Sequence, residues 1–334
     1  MKFEQIISEL KNKIYKPIYF LSGDEPYYID AVCNYIANNV LTESEKAFNQ
    51  TVVYGKDVEI SDVINLSKRF PMMANHQVVI VKEAQNIRTY EEFIHYAENP
   101  LKSTILVICH KYKNFDKRKK KLIDAIKENG VFFDAKKISD YKLPDWINQQ
   151  VGKYGKTIGA ETCMLLSEYL GNDLEKIDNE LKKLVIAIPD SQKQITIDDI
   201  VHNIGISKEY NNFELTRSLG KKDKAKATRI IHHFAMNPKA YPLPLTMAAL
   251  YGYFSKLLLF YGLNNKSNKR SVAAELEIPP FVVDEYIAAA RRYGSGKLIK
   301  IIGYLRDYDV KFKGVGSNTD SGELLKELGY LIMY

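Results

Sequence analysis

The sequence is poor in the residues that build metal centres and disulfide frameworks. Its 334 residues include three cysteines, six histidines and one tryptophan. Cys33, Cys109 and Cys163 lie far apart, form no C-x-x-C pair and each sit in an apolar run. We therefore predict buried thiols rather than a disulfide framework or a four-cysteine zinc site. The histidines show no ligand spacing, and we expect no metal.

The sequence also shows no secretion signal. The N-terminus alternates in charge from Lys2 to Lys16 and offers neither an apolar core nor a cleavage site of small residues. The most apolar long stretch, Leu243–Leu263, contains a threonine, a serine and a lysine, which favours a buried or amphipathic helix over a membrane span. We expect a cytoplasmic protein that has no membrane partner.

Length and composition predict a folded protein of two or three domains. Hydrophobic residues make up 46% of the chain and charged residues 27%, as in ordinary globular proteins. The net charge of +7 is compatible with work beside nucleic acid but does not demonstrate it.

A turn placed where a phosphate loop would lie has lost the residues that bind phosphate. It follows the apolar run Ile18–Leu21, predicted as a buried strand, and it precedes a helix that Pro26 suits and that Asp24 or Glu25 can cap. A working loop reads G-x-x-x-x-G-K-[ST], whereas this turn has Gly23 alone and no lysine. Its two carboxylates would repel a triphosphate at the helix N-terminus. We therefore predict that Gly23, Asp24, Glu25 and Pro26 form a degenerate, non-functional phosphate loop, and we expect no cofactor.

Strand and helix patterns alternate over the first part of the chain and give way to helices in the second. Continuous apolar strands separated by helices predict an α/β domain, residues 1–140, with a mostly parallel sheet covered on both faces. Two all-α domains are predicted to follow, residues 141–208 and 209–334. The predicted strands are Ile18–Leu21, Gln50–Tyr54, Gln77–Val81, Ser103–Cys109 and Val131–Phe133. The predicted helices include Ile60–Phe70, Ala160–Tyr169, Asp173–Ala187, Phe213–Leu219, Lys224–Met236, Pro244–Leu263, Pro280–Tyr293, Gly296–Phe312 and Ser321–Met333, with others starting at Pro144 and Ile197.

Several segments, taken in order along the whole chain, resemble the delta-subunit family of the bacterial DNA polymerase III clamp loader. They are Pro17–Tyr27, Phe70–Val81, Leu170–Leu174 with Glu180, Leu181, Lys183 and Leu184, and Tyr210–Leu215. The resemblance implies an AAA+-like first domain, a helical lid and a helical collar that assembles into a five-subunit arc. It also implies a subunit of the DNA polymerase III holoenzyme without ATPase or polymerase chemistry of its own. The implied partners are the sliding clamp (the beta subunit), whose ring it opens, clamp-loader subunits of the gamma/tau and delta-prime types, and primed DNA within the complex.

The end of the third predicted strand agrees with an ATPase-silent member of that family. An active member would offer Asp-Glu there to hold magnesium and polarise water, but this chain has Lys82 and Glu83. The zinc module of ATP-binding relatives is also missing, in keeping with the cysteine count.

An apolar turn is the predicted clamp-binding site. Phe70, Pro71, Met72 and Met73 lie between a predicted helix and a strand, so the cluster is either tucked into the core or a docking wedge. The resemblance places Met72 and Met73 at the position of the apolar pair that enters a pocket on the clamp. Methionine suits such a pocket because its side chain is adaptable.

The densest basic run, residues 111–121, has two interpretations. Its lysines, with Tyr112 and Phe115 among them, could form a nucleic-acid surface. We favour a solvated helix that starts at Asp116 and packs its later apolar residues on the sheet.

Two other functions compete with clamp opening. One is an active AAA+ ATPase with an atypical loop, which nucleotide titration would reveal. The other is a basic DNA-binding or scaffold AAA+-like protein without a clamp partner, which failure to capture a clamp would favour.

Overall fold

The computed structural model describes residues 1–205, 207, 210–316 and 318–334. Its contacts divide the chain into two compact units, Met1–Ile138 and Ser139–Tyr334. The predicted boundary between the two all-α domains, at residues 208 and 209, lies outside the described residues. The division of the second unit into lid and collar therefore stays a prediction.

The first unit is an α/β domain. Its strands are β1 (Ile18–Gly23), β2 (Gln50–Tyr54), β3 (Gln77–Lys82), β4 (Thr104–Lys111) and β5 (Val131–Ala135). Its helices are α1 (Phe3–Lys11), α2 (Pro26–Asn39), α3 (Glu43–Asn49), α4 (Ile60–Ser67), α5 (Phe93–Glu98) and α6 (Lys120–Asn129).

All five strands form one parallel sheet in the order β2-β3-β4-β1-β5. Successive residues of each inner strand face opposite sides, so Ile18 and Phe20 join one core while Tyr19 and Leu21 join the other. Helices α4, α5 and α6 cover the first face, and α1 and α2 cover the second. The predicted parallel α/β fold with two covered faces is confirmed.

The second unit is mostly helical. Its helices are α7 (Leu143–Lys153), α8 (Ala160–Leu170), α9 (Leu174–Ala187), α10 (Ile197–Ile204), α11 (Asn212–Lys221), α12 (Lys224–Met236), α13 (Leu243–Gly262), α14 (Lys269–Glu275), α15 (Val283–Phe312) and α16 (Ser321–Met333). Two short strands, β6 (Thr157–Ile158) and β7 (Gln194–Ile195), pair in parallel, so the prediction that this part is purely α-helical was wrong in this detail.

Helices α13 and α15 form much of the second unit's core. Within α13 the buried side chains recur at helical spacing, from Leu243 through Leu250 and Leu257 to Phe260. This helix is long and apolar enough to span a membrane by length and composition, and 39% of its most apolar window is buried in the protein. Within α15 the backbone breaks at Gly294, with φ of 72°, where two separate helices were predicted.

Several predicted boundaries were wrong by a turn of helix. The helix predicted to run to Phe70 ends at Ser67, since the Gln77 side chain donates to the Leu66 carbonyl (2.8 Å) and the chain then turns. The helix predicted from Asp116 begins at Lys120, because the Asp116 carboxylate accepts the Arg118 N–H (3.0 Å) in a local turn.

Candidate functional site

The degenerate phosphate loop lies at the carboxyl end of β1, where strands β1, β4 and β5 end side by side. Gly23 has φ of 139°, and a Cβ on this residue would lie 2.1 Å from the Ala135 carbonyl oxygen at the end of β5. The Glu25 N–H donates to the same oxygen (3.1 Å). Gly23 therefore lets the end of β5 close against the loop, which is a structural use of this glycine.

Glu25 occupies the N-terminus of α2. Its side chain is 4% exposed, and its carboxylate accepts the Tyr27 N–H (3.2 Å). Of the two caps the sequence left open, the structure has Glu25, while the Asp24 carboxylate accepts from the Asn114 amide (3.0 Å). A helix N-terminus attracts phosphate through its free N–H groups and positive dipole end, and here a buried carboxylate of the chain takes that place.

The segment that follows β4 covers this loop. The Ser22 hydroxyl accepts the Phe115 N–H (2.9 Å), and Gly23 bridges to Lys113. Lys111, at the end of β4, donates to the Asp30 carboxylate of α2 (2.7 Å). Burial lowers the pKa of Lys111, but its hydrogen bond and ion pair with Asp30 outweigh that effect and raise the pKa above its usual value.

The residues after β3 are also engaged in structural contacts. Glu83 is exposed and has φ of 52°. The next carbonyl, of Ala84, accepts the Tyr90 hydroxyl (2.6 Å), and the Gln85 side chain accepts the Lys111 N–H (3.1 Å). Together with the Glu25 cap, these contacts support the prediction that the phosphate loop has no nucleotide chemistry.

The basic run mixes exposed cations with side chains that are engaged in the fold. Phe115 is buried in the core with Leu122 and Ile126, whereas Tyr112 is exposed. Lys111 pairs with Asp30, and Lys117 pairs with Asp134 (3.3 Å). These contacts favour the packing interpretation of this run.

The predicted apolar turn is strongly exposed. Phe70 is 75% exposed, Met72 63% and Met73 fully exposed, while Pro71 is half-buried. The interpretation of the cluster as a turn tucked into the core is therefore wrong. Met73 also has φ of 54°, in the left-handed region that is uncommon for residues other than glycine.

The buried side chain of Asn49 is hydrogen-bonded to the backbone of this turn. Its side chain is 2% exposed; its Oδ1 accepts the Met72 N–H (2.6 Å) and its Nδ2 donates to the Met72 carbonyl (2.9 Å). Its neighbour Phe48 is 73% exposed. Neither residue was predicted from the sequence, because α3 is short and polar and has no apolar periodicity that would mark residues 43–49 as part of a site.

The turn and the phosphate loop lie at opposite ends of the parallel strands, the turn at the amino ends and the loop at the carboxyl ends. The turn precedes β3, whereas the loop follows β1, and the two strands run parallel. A six-residue strand spans about 20 Å, so the structure does not bring the two predicted sites together. Among the described residues, no three histidine, cysteine, aspartate or glutamate side chains form a group that could hold a metal ion.

Comparisons with known proteins agree on one family. The family model described as DNA polymerase III, delta subunit, matches residues 19–136, and the model of the delta subunit's C-terminal domain matches residues 209–325. The DNA polymerase III subunit delta of Bacillus subtilis (strain 168) is 27% identical over 319 residues, which are 90% of each chain. The solved Bacillus subtilis DNA clamp loader delta protein matches with a TM-score of 0.57 and 24% identity over the full length of both chains. The chain therefore belongs to the delta-subunit family of DNA polymerase III.

Proposed function

We propose that this chain binds the sliding clamp through the exposed turn Phe70–Met73 and opens the clamp ring for loading onto primed DNA. The observation that carries the proposal is the exposure of Met72 and Met73 on a turn whose backbone is fixed. Large apolar side chains grouped on a surface turn are a typical protein-docking feature. Burying two methionines stabilises a complex by about 3–6 kcal/mol before the costs of association.

Opening of the ring takes its free energy from binding. A protein that binds the open ring more tightly than the closed ring shifts their equilibrium by the difference in affinity. The filled phosphate loop supports a subunit that does this without hydrolysing ATP, while nucleotide acts on partner subunits of the gamma/tau and delta-prime types. In this proposal residues 141–208 form the lid, residues 209–334 form the collar that joins those partners, and the complex works in the cytoplasm.

Clamp binding is tested by replacing the two exposed methionines. We expect the purified chain to bind the sliding clamp of its own organism without nucleotide, and Met72→Ala with Met73→Ala to abolish that binding while leaving the fold intact. The measurement is surface plasmon resonance on immobilised clamp, with circular dichroism to check folding. Met236→Ala is the matched control, because Met236 is 75% exposed on α12 and should have no effect. Unchanged affinity of a folded double variant would contradict the proposal.

A further inference from the structure

We propose that Asn49 is a positioning residue, which holds the turn Phe70–Met73 (the docking turn) in the conformation that the clamp binds. The inference rests on the proposed clamp binding and adds a residue outside the turn itself. Asn49 is too deeply buried to contact a partner directly. It acts through Met72, to whose backbone it is hydrogen-bonded.

The backbone of Asn49 is fixed on both sides. It ends α3, whose start is held by a capping box in which Thr42 and Glu45 exchange hydrogen bonds. It directly precedes β2, whose first residue, Gln50, pairs with Val78 of β3. The side chain is therefore aimed at the turn by a helix and a sheet edge that are both anchored.

An asparagine amide matches the polar groups of the turn. The backbone of Met72 offers a donor, its N–H, and an acceptor, its carbonyl, and the Asn49 amide supplies the matching acceptor and donor, as a neighbouring strand would. The same Nδ2 also donates to the Glu45 carbonyl (3.1 Å), which fixes the rotamer of the side chain. Aspartate lacks the two N–H donors, and alanine lacks all three contacts.

The bonds matter for binding because the turn carries a strained residue. Met73 stays in the left-handed region with its side chain fully exposed, next to the residue that Asn49 holds. Without the Asn49 bonds the turn gains other conformations, and each clamp-binding event must order it again. A preorganised turn avoids that cost.

The test compares two asparagines of the first unit. We expect Asn49→Ala to weaken binding to the purified sliding clamp about tenfold per folded molecule, the effect of losing two ordering hydrogen bonds. Asn129→Ala is the matched control. Asn129 lies on α6, far along the chain from the turn, and its side chain also donates to backbone carbonyls, those of Ala97 (3.0 Å) and Glu98 (3.2 Å). This substitution should lower stability without changing clamp affinity. The readouts are affinity by surface plasmon resonance, folded fraction by circular dichroism, and the methionine methyl signals of Met72 and Met73 by NMR.

Each outcome decides between a positioning role and its rivals. Weaker binding by Asn49→Ala alone, with altered Met72 and Met73 methyl signals, supports the proposal. Equal weakening by Asn129→Ala would overturn it in favour of general destabilisation. Wild-type affinity of Asn49→Ala, while the double methionine variant loses binding, would overturn it and leave the proposed function standing. Wild-type affinity of the double methionine variant would remove the proposed function and this inference with it.

A second variant keeps the test decisive if Asn49→Ala does not fold. Asn49→Asp has the same size and keeps the acceptor for the Met72 N–H, but it turns a carboxylate oxygen toward the Met72 carbonyl. We expect it to fold and to bind the clamp at least about threefold more weakly than the wild type. Wild-type affinity of this variant would overturn the proposal.

Discussion

At the scale of single residues, the loop after β1 contains a glycine that packing of the sheet requires, apart from any phosphate chemistry. Gly23 combines a positive φ with a close approach to the end of β5. A side chain there would meet backbone atoms, which cannot move aside as the end of a flexible side chain can. The residue is therefore needed by the sheet itself.

Gly23→Ala should destabilise the protein by about 2–4 kcal/mol, because strain at a positive φ and the clash with Ala135 act together. Urea unfolding followed by circular dichroism measures the loss. The control is Gly252→Ala within α13, where the added Cβ meets no atom within 4 Å beyond the neighbouring backbone of its own helix and stability should stay equal or rise. A Gly23→Ala protein as stable as the wild type would show that the end of β5 does not press on the loop.

At the scale of elements, a buried carboxylate joins α9 to α7. Asp178 of α9 is 4% exposed and accepts from the Gln150 amide and the Tyr154 hydroxyl of the α7 region, each at 2.6 Å. Lys182, one turn along α9, lies 2.7 Å away. Burial raises the pKa of Asp178, but the hydrogen bonds from Lys182, Tyr154 and Gln150 outweigh it and hold the pKa below its usual value.

This lowered pKa sets a direction for acid stability. A group whose pKa is depressed by folding contributes stability above its unfolded pKa of about 3.9, and the contribution is lost as pH falls through the folded pKa. Asp178→Asn should lower the free energy of unfolding at pH 7 by about 1–3 kcal/mol and flatten its decline in acid. The fluorescence of Trp146, the single tryptophan, reports unfolding of α7 directly.

The control for this prediction is Asp190→Asn, an exposed carboxylate after α9 that should shift stability by less than about 0.5 kcal/mol. Parallel pH curves for wild type and Asp178→Asn would contradict the role of this carboxylate.

Apolar patterns in the sequence predicted most helices and strands. Where a predicted boundary was wrong, a hydrogen bond of a polar side chain set the observed one. Strand β2 and helices α12 and α16 have the predicted bounds, because their ends coincide with changes in apolar period. Helix α4 ended early because Gln77, eleven residues further on, binds its last turn, a contact no local pattern contains. Of the candidate site, the exposed methionines were predictable from the sequence. The hydrogen bonds between Asn49 and Met72 join residues 23 positions apart, so only the structure reveals them.

At the scale of the whole molecule, each of the two units has its own core. The first unit's cores lie on the two faces of its sheet, and a core of the second unit is built from helices α11–α16. Residues 1–138 contain the docking turn, Asn49 and all five strands of the larger sheet. The first unit therefore has its own cores and a complete sheet, as expected of a domain that folds by itself.

A fragment of residues 1–138 should fold alone and bind the clamp within about threefold of the full chain's affinity, because it contains the turn and the Asn49 hydrogen bonds that shape it. Circular dichroism and surface plasmon resonance provide the measurement, with the Met72→Ala, Met73→Ala fragment as control. A folded fragment with more than about tenfold weaker binding would place part of the clamp-binding surface in the second unit.

In the proposed non-hydrolytic subunit, the buried Glu25 carboxylate blocks the gain of a phosphate site by single mutations. A mutation that introduced the missing lysine or glycine would gain nothing while Glu25 still held the N-terminus of α2. A mutation that removed Glu25 first would take the cap from the helix and cost stability with no compensating activity. Each single step toward a phosphate-binding loop is therefore neutral or harmful.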